Sequence, residues 1–248
     1  MSGYNDFALF YDMFTEDVDY KNRTEYICSL FKRFDKMPSL LLDMACGTGG
    51  FSLEFAKKGV QVIGVDPSTE MLMRAQDKKI EQGADILFLC QTAAELELYG
   101  TVDGAVCCLD SLNHITDFDE LKESFKRIAL FLEKDRLFIF DMNTVYKHAE
   151  ILADNCFVRE TDEVLCVWQN EFQRQENLTN IRIDIFSVGK DGKYDRFSDS
   201  FAERGYTIEQ IRECLEYAGL FLEAQFEEMT ENEPKGDTER IIYVTRKG

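Results

Sequence analysis

The segment Leu40-Leu41-Leu42-Asp43-Met44-Ala45-Cys46-Gly47-Thr48-Gly49-Gly50 constrains this chain more than any other. A short apolar run, with an acid near its end, enters a glycine-rich turn and then a helix-compatible stretch over 51–58. One helix further on, Val62-Ile63-Gly64-Val65-Asp66 repeats the pattern of an apolar strand closed by a carboxylate. Gly47 and Gly49 carry no Cβ, so a ligand can approach the backbone of a tight strand-to-helix turn. A carboxylate placed as Asp66 is, at the end of the second strand, can accept both hydroxyls of a ribose. The order fits an α/β sheet that holds an adenosine beyond the carboxyl ends of its strands.

Two cofactor classes share that layout, and the glycine loop separates them. A dinucleotide fingerprint, G-x-G-x-x-G, needs its last glycine at the helix–strand contact and seats a pyrophosphate on the helix N-terminus. Gly47-Thr48-Gly49-Gly50-Phe51-Ser52 puts serine at that place. Asp43, upstream of the first glycine and aimed at the same loop, would repel a pyrophosphate and suits a ligand that carries an ammonium group. The stretch D-x-A-C-G-T-G-G over 43–50 resembles motif I of the class I S-adenosylmethionine-dependent methyltransferases. An ordinary glycine-rich turn is the alternative, and Asp66 counts against it.

Composition bounds the rest. A chain of 248 residues fits one α/β domain with an insertion. Its formal net charge of −19, with no sizeable Lys/Arg cluster, disfavours nucleic acid as a partner, because such binding draws much of its affinity from cations on phosphates. The residues Met1 to Asp6 lack the basic and apolar regions of a signal peptide. No apolar run reaches the ~18–20 residues that span a bilayer. A cytoplasmic protein without membrane association is expected. Eight cysteines show no C-x-x-C and no Cys/His pairing of the zinc type, so no metal is expected. Cys46, Cys90, Cys107, Cys108 and Cys166 stand in apolar, strand-like contexts, where thiols act as small hydrophobes.

The pattern along the chain alternates strand and helix. An amphipathic helix over 21–34 precedes strands at 40–44, 61–65, 86–90, 104–108 and 137–140, with helices at 50–57, 69–82 and 118–132 between them. Such spacing implies right-handed crossovers and a parallel sheet. After Asp141 the period changes. Extended segments at 157–159, 164–172, 180–187 and 194–197, two of them joined by Gly189-Lys190-Asp191-Gly192, read as an antiparallel insertion. A helix over 207–218, ended by Gly219, and a terminal hairpin of 221–228 with 240–245 resume the main sheet. The chain divides accordingly into 1–148, the insertion 149–205, and 206–248. A terminal hairpin after five parallel strands again resembles the class I methyltransferases, whose seven-stranded Rossmann-like sheet has a reversed seventh strand. The likeness is nearest to small-molecule enzymes such as the glycine and amino-sugar N-methyltransferases.

That resemblance implies S-adenosylmethionine as cofactor, S-adenosylhomocysteine as product, and a role for each strand end. Asp43, Ala45, Gly47 and Gly49 would face the methionine part, while Asp66 would hold the ribose, with Pro67 and Ser68 beginning the next turn near the adenine. Gln91, Thr92 and Ala93 follow the third strand near the adenine, although relatives often have an Asp where Thr92 stands. Leu109 begins the turn after the fourth strand and would touch the cofactor. Ser111-Leu112-Asn113-His114 matches the S-x-x-H of the amino-sugar enzymes, so His114 and Asn113 are candidates for the acceptor side. An imidazole can move a proton at neutral pH; a hydrogen-bonded turn residue is the alternative for His114. His148 reads as a surface residue. Of the aromatic series Tyr4, Phe7, Tyr11 and Tyr20, the last two best match tyrosines that close over the cofactor. Glu203-Arg204-Gly205-Tyr206-Thr207 also looks family-like, with Arg204 either an active-site cation or one half of a structural ion pair. The expected function is methyl transfer to N or O of a small-molecule acceptor, with a homodimer through the insertion as a further candidate contact. The alternative is a non-catalytic adenosyl-ligand-binding module that docks a protein partner through the insertion.

Overall fold

A computed structural model describes residues 7–15, 17–189 and 191–248; Tyr4 and Lys190 lie outside them. In chain order, α1 (Phe7–Phe14) and α2 (Tyr20–Phe34) precede β1 (Leu40–Met44), α3 (Gly50–Lys57), β2 (Gln61–Asp66), α4 (Thr69–Gln82) and β3 (Ile86–Cys90). Next come β4 (Gly104–Cys107), α5 (Phe118–Phe131) and β5 (Leu137–Asn143). The insertion contributes β6 (Cys156–Glu160), β7 (Val164–Gln173), β8 (Leu178–Val188) and β9 (Tyr194–Arg204), and α6 (Ile208–Ala218), β10 (Leu220–Glu227) and β11 (Arg240–Lys247) close the chain.

The main sheet has seven strands in the order β10-β11-β5-β4-β1-β2-β3. β1 to β5 run parallel, and β11 runs antiparallel to both β5 and β10. Strand order reverses between β1 and β4, which opens a crevice at their carboxyl ends where ligands of such sheets bind. Alternating side chains supply both faces. Leu41, Val62, Val106 and Ile139 meet Phe31 of α2 and Phe55 of α3, whereas Leu42, Met44, Phe138 and Phe140 meet Phe125 of α5 and Leu215 of α6. Phe140 stacks between Phe138 and Tyr243, with centroids 4.9 Å away on either side. Each such fully buried side chain contributes ~1.5–3 kcal/mol.

The expected helices end where their punctuation says. Ser68 Oγ accepts from Met71 N to cap α4, whose C-terminus is the left-handed Gly83. Thr207 and Gln210 form a reciprocal capping box on α6, and Gly219 closes it at φ 71°.

Five features depart from the sequence reading, the first being β9, which runs on from 197 to Arg204 because it pairs along the whole of β8. α1 is a separate helix ahead of α2 and packs on α4 and β9. β5 continues to Asn143 because Asp141, Met142 and Asn143 all pair with β11. Cys90 is exposed, for it closes the edge strand β3. His148 is fully buried, turned inward by a π-helical segment, Lys147–Leu152.

The insertion is a four-stranded antiparallel sheet, β6-β7-β8-β9. Ile181, Ile183 and Ile185 alternate along β8 onto one face, and pack with Cys166, Met71 of α4 and the α1 side chains Phe10, Tyr11 and Met13. The period of two thereby becomes a cover over α1 and the start of α4. No helix among the described residues is long and apolar enough to cross a membrane.

Candidate functional site

The glycine loop leaves β1 with three left-handed residues, Ala45 (φ 57°), Gly47 (φ 53°) and Gly49 (φ 80°). Asp66, at the end of β2, ties this loop to its own turn: Oδ2 accepts from Gly47 N (2.8 Å) and Oδ1 from Ser68 N (2.9 Å). A carboxylate has about four acceptor positions, so each oxygen keeps one for a ribose hydroxyl. Burial pushes the Asp66 carboxyl up despite those two amide bonds. Asp43 is 1 % exposed and accepts from Ser52 Oγ at 2.5 Å. Burial raises its carboxyl to about 7, the state of an acid that would ionise fully beside an ammonium group.

Two tyrosines lie against the loop. The Tyr20 ring fills the space at Gly50, where a Cβ would stand 2.5 Å from it, and meets Phe51 edge-on at 5.1 Å. Tyr11 lies over Gly47 and feels both Asp66 and Asp110; burial is the main reason its phenol is held well above the usual value. α1 is strapped down beside it. Asp12 Oδ1 accepts from Thr48 Oγ1 and from Lys78 Nζ, each at 2.6 Å, and Lys78 Nζ also reaches Thr48 Oγ1 at 2.9 Å.

The turn after β4 is held quite differently. Leu109 (φ 58°) and Asp110 (φ 50°) are consecutive left-handed residues without glycine. Asp141 of β5 takes both amides, Leu109 N at 2.8 Å and Asp110 N at 2.6 Å. Arg240 of β11 then bridges Asp141 (2.7 Å), Asp110 (2.6 Å) and Glu228 (3.2 Å), and Arg23 of α2 pairs with Glu228 from the other side. Burial pushes Asp110 up, but Arg240 outweighs it and keeps the carboxyl below the usual range. Next, His114 Nε2 lies 3.5 Å from Glu203 Oε1 of β9. Burial lowers the imidazole and raises the Glu203 carboxyl to about 8, with Asp110 adding to the latter. Both shifts favour the uncharged forms, and an uncharged imidazole can accept a proton.

Asn113 is not exposed at all. Its Nδ2 donates to the carbonyls of Asn143 (3.1 Å) and Arg204 (2.8 Å), and its Oδ1 accepts from Asn143 N (2.9 Å). That geometry makes it a brace between this turn, β5 and β9.

Comparison with known proteins bears on these two strand ends. The family described as "Methyltransferase domain" matches residues 41–135. "Putative methyltransferase YqeM" of Bacillus subtilis (strain 168) is 31% identical over 245 residues, covering 98% of this chain and 97% of its own. A solved S-adenosylmethionine-dependent methyltransferase from Clostridium acetobutylicum ATCC 824 is 34% identical with a TM-score of 0.89, covering 99% of both chains. This chain belongs to the class I S-adenosylmethionine-dependent methyltransferases. S-adenosylmethionine is accordingly its cofactor, and likeness over the whole length does not favour a non-catalytic module. CalS10, an amino pentose methyltransferase from Micromonospora echinaspora solved with S-adenosylmethionine bound, shares the fold at 17% identity and a TM-score of 0.73, covering 92% of each chain.

The residues of this methyltransferase fit that cofactor: Asp66 has its spare acceptor positions, and a Cβ on Gly47 would meet nothing nearer than the Tyr11 ring at 4.0 Å. Elsewhere the expected residues are engaged with the protein. Gln91 brackets the Glu97 backbone (Nε2 to O 3.2 Å, N to Oε1 2.9 Å), and Thr92 bonds Glu95 (3.0 Å) ahead of the short turn that opens at Ala93. Pro67 is exposed. Arg204 has its Nε buried without a hydrogen-bond partner among the described residues. Sequence reasoning missed the roles of Asp12, Lys78, Asp141, Arg240 and Glu203. Only Glu203 carried a signal, its place in a family-like motif.

Proposed function

We propose that this methyltransferase transfers the methyl group of S-adenosylmethionine to a nitrogen or oxygen of a small-molecule acceptor bound between the β4 turn and the insertion. The observation that carries this reading is the His114–Glu203 pair, which joins the β4 turn to the last residues of the insertion beside the cofactor loop. When bound, the cofactor supplies an activated methyl group on a sulfonium. The protein's task is then orientation and exclusion of water, and positioning can contribute ~7–11 kcal/mol without a dedicated nucleophile. Asp66 holds the ribose, Asp43 faces the methionine ammonium, and Tyr11 and Tyr20 wall the sulfonium, where an aromatic face adds ~0.5–2 kcal/mol. Leu109 borders the cofactor from the other side, and neutral His114 takes the proton released by the acceptor. The segments 1–148 and 206–248 form the catalytic body, and 149–205 forms its cover. The cover over α1 and the charge of −19 both suit a small acceptor better than a nucleic acid.

Methyl-donor consumption across a metabolite panel identifies the acceptor. His114→Ala should then lower turnover by about 10²–10⁴ while S-adenosylhomocysteine affinity, read by calorimetry, stays within about twofold. Normal turnover in that variant removes His114 from the reaction.

A further inference from the structure

The methyl-transfer reading leaves one side-chain cluster with more donors than it needs. Asp110 follows the strained Leu109 turn, His114 ends the short helical turn Ser111–His114, and Glu203 is the penultimate residue of β9. Two chain segments thus bring three donors together, and one donor atom from each residue lies within 4.8 Å of the others. Ligands held ~2.0–2.2 Å from one small cation stand roughly 3–4.4 Å apart, so a slight inward movement completes such a shell. A second observation points the same way. The Asn143 side chain hydrogen-bonds the Glu203 carboxylate, and its Oδ1 is buried with no hydrogen-bond partner among the described residues. The Asn143 amide thus touches the cluster through Glu203 and keeps one oxygen unsatisfied.

We propose that Asp110, His114 and Glu203 form a binding site for one divalent first-row cation, with Asn143 beside it. Mixed imidazole and carboxylate donors suit Mn²⁺, Fe²⁺ or Zn²⁺ better than soft-ligand metals. Arg240 does not stand in for the ion, because its charge is already divided among Asp110, Asp141 and Glu228. It serves instead to orient Asp110 from behind, as outer partners of metal ligands do. An ion held there would acidify an acceptor hydroxyl, and His114 would take the proton only while the site is empty. That consequence rests on the methyl-transfer reading, whereas the site itself does not.

The chain has only two histidines, which makes the test direct. The full-length protein, stripped with a chelator, is titrated with ZnCl₂ alone, without cofactor or acceptor, while the two imidazoles are followed by nitrogen-15 NMR. One equivalent should shift the His114 ring nitrogens and leave those of His148, bonded to Thr179 Oγ1 at 2.9 Å, in place. Calorimetry on Glu203→Gln should show Zn²⁺ affinity reduced at least ~10-fold. Zinc that binds without moving His114 is adventitious association with an acidic surface and overturns the site, as does absence of binding. A His114 shift with unaltered affinity in Glu203→Gln overturns the three-ligand arrangement. The NMR arm uses the unmodified chain and holds even if the variant does not fold.

Discussion

Asp66 and Asp141 perform the same local act at opposite sides of the crevice. Each is a buried carboxylate that accepts two backbone amides and so fixes a turn beyond a parallel strand. They differ in what faces their remaining lone pairs. Asp66 has no cation among its bonds and keeps acceptor capacity for a ligand, while Asp141 gives its capacity to Arg240. On the proposed reading, one carboxylate is placed to bind, and the other to hold a turn that binds. The turn after β2 is therefore fixed by backbone and short-range bonds, and the β4 turn, the proposed acceptor side, by a buried ionic network. Residue type alone does not distinguish the two acids; the guanidinium does.

The largest effect that separates them should come from Asp141→Ala. It strands part of the buried Arg240 charge and two amides of left-handed residues, at a cost of about 3–5 kcal/mol in folding stability. Denaturant unfolding measures this. A loss below 1 kcal/mol would erase the distinction between the two sides.

His148 sharpens the same contrast, since it packs behind the acceptor side against Thr179 and Gly205. Burial lowers its imidazole to about 4, against 6.5 ordinarily. The sign follows directly. The unfolded chain binds this proton first, so the stability owed to neutral His148 is complete above pH 6.5 and is lost as pH falls toward 4. At 1.36 kcal/mol per pH interval the loss is about 3 kcal/mol. Glu203 works oppositely between its ordinary 4.5 and about 8, so the His148 contribution must be taken as wild type minus His148→Gln. A difference that is flat across pH 4–6.5 would contradict it.

On the cofactor side the effect should be on affinity more than on folding. Asp66→Ala removes the proposed charge-assisted ribose bonds, expected to be worth about 1.5–3 kcal/mol, which calorimetry with S-adenosylhomocysteine reads as a ~10- to 150-fold weaker Kd. Unchanged affinity in the folded variant would discard the proposed pocket. Smallest of all is Lys78→Ala. The lysine is partly exposed, and such ion pairs contribute ~0.2–1 kcal/mol. Affinity should weaken no more than ~5-fold, and a larger loss would show that the α1 strap matters beyond its ion pair.

This contrast also explains what the sequence disclosed. β1, α3, α4 and β3 have the limits expected of them, because glycines, Ser68 and unbroken apolar runs mark their ends in one short stretch of chain. The seven-stranded sheet and its antiparallel insertion were legible for the same reason. α1 was not, because Phe10 and Tyr11 find their partners on β8, β9 and α4 and the segment carries no clear period of its own. Gln91 and Thr92 each bond within their own turn, a local pairing that residue type alone did not disclose. His148 looked like a surface residue because a π-helical segment alters which face points inward. Arg240 offered no motif at all, only a charge in a strand.

The place of β11 has a consequence for how the molecule acquires activity. It is threaded between β5 and β10 and is not laid on an edge. Its Arg240 reaches Asp141 across 99 residues, whereas Asp66 reaches Gly47 across 19. Contacts so separated close late during folding. A growing or refolding chain can therefore assemble the glycine loop well before the β4 turn is secured, and on the proposed assignment recovery of ligand binding should precede recovery of turnover.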